Sequence, residues 1–208
     1  ECKDLVAEIK QSGGQAEMVI GDLSESEGRD AFISAVFASD IFQMNGGIDL
    51  LVNSASLFTD TTNLDTNGKT AARDVMFALH VDSPSHLASA LSESLSASKG
   101  SIINIIDALL ERPGEGYNDY SASKRAMADL TLAQALEYAP DIRVNGIGPG
   151  TILPSQSEHG LEHQIAELVP LKRWGDPCDI AATVLFLAES NYITGQIINV
   201  DGGLSMNR

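Results

Sequence analysis

Tyr120-Ser121-Ala122-Ser123-Lys124 places a phenol and an ammonium four positions apart. If the segment is helical, the two side chains share one face about one turn apart. An ammonium a few ångströms from a phenol favours the phenolate, lowering its pKa from about 10 and allowing it to give or take a proton near neutrality. The same spacing also occurs in solvated surface pairs, so the surroundings decide its meaning. His159 and His163 are likewise four apart, but no third metal ligand accompanies them, and they read as surface residues with no metal.

Alternating strand and helix patterns would have to position such a pair. Leu5, Ile9 and the Gly13-Gly14 stop predict a helix at the start of the chain. Met18-Val19-Ile20 reads as a short buried strand. Ser24 and Glu27 have capping-box spacing for a helix running to about Phe42. Ile48 to Val52 is the next strand, and a long helix is expected from Gly68 to Ser98. Ser101 to Ile106 is short, apolar and β-branched, as a buried strand should be. A helix follows from Tyr117 to Tyr138, with Ala122, Ala126, Leu130, Ala133 and Leu136 as its apolar face. Ile142 to Ile147 is then a strand. Pro149 and Gly150 open an irregular stretch in which Ser155 to Glu162 is expected to form a mobile lid. Asp176-Pro177 caps a helix to about Ala188, and Gln196 to Val200 is the last strand. This βαβ alternation predicts an α/β fold with a doubly wound, mostly parallel sheet of Rossmann type, in a single domain over residues 1–208.

The 208 residues carry a formal charge of -16, which opposes binding to nucleic acid or to an anionic membrane. No apolar run is long enough for a membrane span, and Glu1-Cys2-Lys3-Asp4 does not resemble a secretion signal, so a cytoplasmic protein is expected. Cys2 and Cys178 have no metal or redox spacing and read as buried or incidental thiols.

In order, these segments resemble the short-chain dehydrogenase/reductase family along the whole chain. Asp22-Leu23 is similar to the acidic residue and its neighbour beside the adenine, and Asn53-Ser54-Ala55 to the Asn-Asn-Ala-Gly element. The Tyr120/Lys124 helix, Asn145 to Gly150, and the closing Ile193-Thr194-Gly195-Gln196 with Asp201-Gly202-Gly203 follow in register. The resemblance implies cofactor contacts from Asp22, Leu23, Asn53, Ser54, Ala55, Tyr120, Lys124, Pro149, Gly150 and Thr151. It also implies a homotetramer joined through the two long helices and the C-terminal strand.

Three departures narrow the resemblance. Thirteen residues before Tyr120, where the family usually has serine, stands Asp107. A carboxylate there repels a developing alkoxide but suits a nitrogen heterocycle that must be hydrogen-bonded and protonated. Asp with Tyr and Lys is the arrangement of pteridine and dihydromonapterin reductases. Ser56-Leu57-Phe58 replaces the usual glycine, which in that branch implies a serine near the pterin, Ser56, and an aromatic ring against it, Phe58. His80 stands where the family's tetrad asparagine does, and either packs in its helix or donates the equivalent relay hydrogen bond.

The resemblance thus implies Asp107, Tyr120 and Lys124 as catalytic residues. Ser56, Phe58, Asp107 and Tyr120 would meet the substrate, and NADPH would reduce a C=N bond of a dihydropterin or related folate. A carbonyl or 3-oxoacyl thioester reductase is the alternative within the family. The family's Gly-x-x-x-Gly-x-Gly turn does not occur in these residues, and about 35 to 45 residues of the usual βαβ opening are expected to be absent. That absence supports a third reading, a cofactor-free binding or scaffold protein.

Overall fold

The computed structural model describes residues 2–110, 114–154 and 160–207. The chain forms α1 (Cys2–Gln11), α2 (Ser26–Ala38), α3 (Asp40–Asn45), β1 (Leu50–Asn53) and α4 (Thr66–Phe77). A π-helical turn, Ala78–Asp82, joins α4 to α5 (Ser83–Ser98). β2 (Ser101–Ile105), α6 (Asn118–Glu137), β3 (Arg143–Pro149), α7 (Glu162–Leu168), α8 (Pro177–Glu189) and β4 (Ile197–Val200) complete the order.

The four strands form one parallel sheet in the order β1-β2-β3-β4. Parallel strands need both faces covered, since their connecting helices cross over them. One face packs Ile102, Ile142 and Val144 against Leu91 and Leu95 of α5 and Ala135 of α6. The other packs Ile103 and Ile147 against Leu187 of α8. This doubly wound α/β layering is the expected fold class. It brings the carboxyl ends of the strands to one rim, where such sheets bind ligands.

Local chemistry sets the helix starts. Asp65 accepts a hydrogen bond from the Gly68 amide at 2.7 Å, and Asp176 caps α8 with Asp179 completing the capping box. At the start of α2 the expected Ser24/Glu27 box does not form. Glu25 is the N-cap, and Ser24 instead donates its amide and hydroxyl to Asp22.

Several other boundaries differ from expectation. Met18-Val19-Ile20 is not a strand: no described segment pairs with it, and Ile20 is 83% exposed. The helix expected to reach Phe42 breaks at Ser39, whose hydroxyl caps α3. The helix expected from Gly68 to Ser98 is interrupted by the π turn. Pro149 is the last residue of β3 rather than the start of a loop, and helix α7 begins at Glu162, inside the expected lid. The rest of that lid, Ser155 to His159, lies outside the described residues. On α6 the expected apolar face is only half-buried at Ala122, Ala126 and Leu130 and is exposed at Ala133 and Leu136, while the inward face mixes Met127, Ala128 and Ala135 with Ser121, Lys124, Thr131 and Gln134. Cys2 and Cys178 are free and exposed rather than buried. No helix of the described residues is long and apolar enough to cross a membrane.

Candidate active site

β2 ends at Ile105, and the chain turns at Asp107. Its Oδ1 accepts the Leu109 amide at 2.6 Å, which fixes the carboxyl group, while Oδ2 accepts the Tyr120 hydroxyl at 3.1 Å. The first two turns of α6 supply Tyr120 and Lys124. Lys124 is 2% exposed, and its Nζ donates to the Ile105 carbonyl at 2.8 Å, lying 5.9 Å from the centroid of the Tyr120 ring. The three expected catalytic residues are therefore brought together at the carboxyl end of β2.

The electrostatic balance differs from the expectation that Lys124 draws the phenol down. Burial pushes the Tyr120 pKa up, and the adjacent Asp107 adds to this by charge and by the hydrogen bond it accepts. Tyr120 is thus held firmly as a protonated phenol. Burial lowers Lys124 from the usual lysine range to about 8, with Asp107 opposing the shift.

Around this centre lies a ring cluster. Phe58 stacks on Tyr117, centroids 4.4 Å apart and planes within 10°, and meets Tyr120 edge-on at 4.8 Å. Phe58 is 51% exposed, so part of its surface remains available to a ligand. Tyr117 was not among the residues expected here. Its place immediately before α6 was the only sequence signal for it.

His80 is fully buried in the π turn and lies edge-on to Tyr120, with ring centroids 5.7 Å apart. Its Nε2 is 2.8 Å from Ser56 Oγ and its Nδ1 2.8 Å from Ser123 Oγ. Burial, reinforced by the nearby Lys124 charge, lowers its pKa to about 3, so the ring is neutral. His80 is thus packed and hydrogen-bonded at once, and its partners are two serine hydroxyls. Ser123, its second partner, carried no signal of its own.

A second polar chain supports the strand ends. Asn53 donates to Asn104 at 2.8 Å, and Asn104 donates to Thr131 on α6 at 2.9 Å. Asn53, Ser54 and Ala55 line a cleft of about 130 Å³ together with Leu23. Asp22 is not part of that lining. Its carboxylate is held by Ser24, and those bonds keep its pKa below the usual value. Thr151 lines a separate cleft of about 530 Å³ with Arg173, Asp201 and Gly202. Pro149 and Gly150 enter neither cleft: the Pro149 carbonyl accepts the Ala108 amide, and the Gly150 amide donates to Val200.

The residues present suit a nucleotide cofactor. A buried ammonium can donate three hydrogen bonds, and Lys124 has one accepted by Ile105, leaving two for ribose hydroxyls. Ser54 and Ala55 stand exposed just past the carboxyl end of β1. Of the paired histidines, His163 is exposed and His159 lies outside the described residues. No group of three or more metal-ligating side chains occurs among the described residues.

Comparison with known proteins agrees with this geometry. A family model described as enoyl-(acyl carrier protein) reductase matches residues 1–205. Carbonyl reductase family member 4 of Xenopus laevis is 35% identical over 78% of this chain and 69% of its own. Pteridine reductase 1 of Leishmania tarentolae is 32% identical over 78% of this chain and 65% of its own. The crystal structure of FolM alternative dihydrofolate reductase 1 from Brucella canis, complexed with NADP, superposes with a TM-score of 0.84. It is 32% identical, over 98% of this chain and 79% of that one. With a family model spanning nearly the whole chain, a parallel sheet and a Tyr/Lys pair at its rim, the chain belongs to the short-chain dehydrogenase/reductase family of oxidoreductases.

Proposed function

We propose that the protein reduces a C=N bond of a dihydropterin or related folate with NADPH. The observation that carries this reading is the 3.1 Å hydrogen bond from Tyr120 to Asp107. A carbonyl reductase gains most from donors aimed at the developing alkoxide. Here the group thirteen residues before the tyrosine is an acceptor that also engages the tyrosine proton. An N–H-bearing heterocycle satisfies such a carboxylate, whereas a ketone oxygen is repelled by it.

NADPH, when bound, supplies the hydride. Lys124 would hold the nicotinamide ribose with its remaining protons, and Asn53, Ser54, Ala55 and Leu23 would line the cofactor, with Asp22 beside them. Pro149, Gly150 and Thr151 would flank the nicotinamide end. Tyr120, kept protonated by burial and by Asp107, is the proton source for the ring nitrogen. Asp107 orients the substrate by accepting its N–H and draws on the same proton. Phe58 offers an exposed ring face for a planar substrate, backed by Tyr117. The pteridine reductase and the alternative dihydrofolate reductase among the similar proteins support this choice, and the carbonyl reductase supports the ketone or 3-oxoacyl thioester alternative.

The family's tetramer is expected to form over the outward faces of α5 and α6, where Leu132 and Leu136 are 44% and 84% exposed. The deciding experiment follows NADPH absorbance with purified protein and offers 7,8-dihydropterins, dihydrofolate and an acetoacetyl thioester in parallel. Oxidation with the pterins and not the thioester is the expected result. Turnover of the thioester alone overturns the reading in favour of the carbonyl reductase. Absence of both turnover and NADPH binding favours a cofactor-free binding protein.

A further inference from the structure

The hydrogens in the Ser56-His80-Ser123 chain can be placed by elimination. Ser123 Oγ lies 2.7 Å from the Tyr120 carbonyl oxygen, which can only accept. Two oxygens that close need a hydrogen between them, and the single hydroxyl hydrogen of Ser123 is the one available. Ser123 therefore meets His80 Nδ1 as an acceptor, and Nδ1 must carry the ring proton. The ring is neutral, so Nε2 has a lone pair and takes the hydrogen of Ser56. Ser56 is exposed on its other side, where only oxygen lone pairs remain.

We infer that His80 and Ser123 lock Ser56 as a hydrogen-bond acceptor on its exposed side, so that, with Ser56 meeting the substrate as the resemblance implies, the site selects a substrate carrying an N–H or O–H donor at that position. This inference rests on the reading of Asp107 and Tyr120 as a reductase site, and it adds to that reading. Ser56 and Asp107 both present acceptors, and Tyr120 becomes the donor among the three only as its hydrogen turns from Asp107 to the substrate. Such a pattern matches an amino- or N–H-bearing heterocycle, and a simple ketone satisfies neither acceptor. A serine with a freely rotating hydroxyl would take either partner. Selectivity therefore comes from His80, which touches no substrate and acts as a positioning residue.

The tautomer is measured directly by NMR on the full chain labelled with nitrogen-15 histidine. The His80 resonance is the one lost in His80→Asn. If that variant does not fold, it is the imidazole that fails to titrate between about pH 5 and 8. A protonated Nδ1 with a bare Nε2 is expected, and a protonated Nε2 overturns the inference. In the second arm, Ser56→Ala is expected to raise KM for 7,8-dihydropterin about tenfold, as loss of one neutral hydrogen bond should, with the loss carried mainly by KM rather than kcat. An unchanged KM overturns it. If the wild type does not reduce dihydropterins at all, the proposed function fails, and the tautomer measurement still decides the polarity of Ser56.

Discussion

Lys124 Nζ gives its 2.8 Å hydrogen bond to the Ile105 carbonyl, while the Tyr120 hydroxyl, on the same helix face, turns to Asp107. The lysine is thereby anchored to the strand that carries the carboxylate. The pair is not an isolated ammonium and phenol, because burial, reinforced by the acid group at the end of β2, holds the tyrosine protonated.

Replacing Tyr120 by Phe removes the hydroxyl proposed as the proton source and leaves the ring packing on Phe58 in place. kcat/KM for dihydropterin should fall by about 10² to 10⁴, with an unchanged circular dichroism spectrum. Activity within about threefold of wild type would remove Tyr120 from the chemistry.

Asp107→Ser restores a hydroxyl at a position where this chain has an acceptor. Dihydropterin turnover should drop about a hundredfold or more, and reduction of an acetoacetyl thioester should rise relative to it. Parallel NADPH assays with the two substrates measure that ratio, and a ratio that does not move would show that Asp107 is no selectivity element.

The lysine gives a pH dependence of defined sign. Its folded pKa, about 8, is below the unfolded value of about 10.4, so above pH 8 the folded protein has lost a proton that the unfolded chain keeps. Stability contributed by this group therefore rises with pH between about 8 and 10. Urea denaturation of the wild type and Lys124→Met across this window should show the wild type gaining on the variant. kcat/KM should decline above about pH 8 as the ammonium is lost, and Lys124→Arg, charged throughout, should move that limb to higher pH.

Gly150 tests how tightly the strand ends are fitted together. A Cβ there would stand 2.7 Å from the Cα of Asp201, a backbone atom that cannot swing aside. Gly150→Ala should destabilise the protein by about 1 to 3 kcal/mol, read as a lower midpoint in thermal denaturation. An unchanged midpoint would mean that β3 and the Asp201 turn separate freely.

The fold class was legible because β-branched runs such as Ser101 to Ile105 alternate with capped helices, and these signals are local. What was misread depends on neighbours. Met18 to Ile20 has strand composition, but a strand exists only beside another, and none of the described segments pairs with it. The inward face of α6 was misassigned because hydrophobicity favours Ala122 to Leu136. Beside the buried Met127, Ala128 and Ala135, the polar residues turned inward are held by partners on other elements: Ser123 by His80, Lys124 by Ile105 and Thr131 by Asn104. Asp107, Tyr120 and Lys124 were expected together from spacing and resemblance, and the fold brings them together at the end of β2. Tyr117 and Ser123 meet Phe58 and His80 through contacts that only the folded chain brings together.

The turn at Ala78–Asp82 makes chain length, and not side-chain identity alone, a determinant of the site. A π turn accommodates one residue more than an α-helix would in the same rise, so α4 and α5 are out of phase by about 100° around their common path. Deleting a single residue there would heal the helix and rotate position 80 away from Ser56 and Ser123, although every side chain of the network would still be encoded. Variation by insertion or deletion at this turn would therefore retune the cleft in a way that no alignment column at residue 80 would reveal.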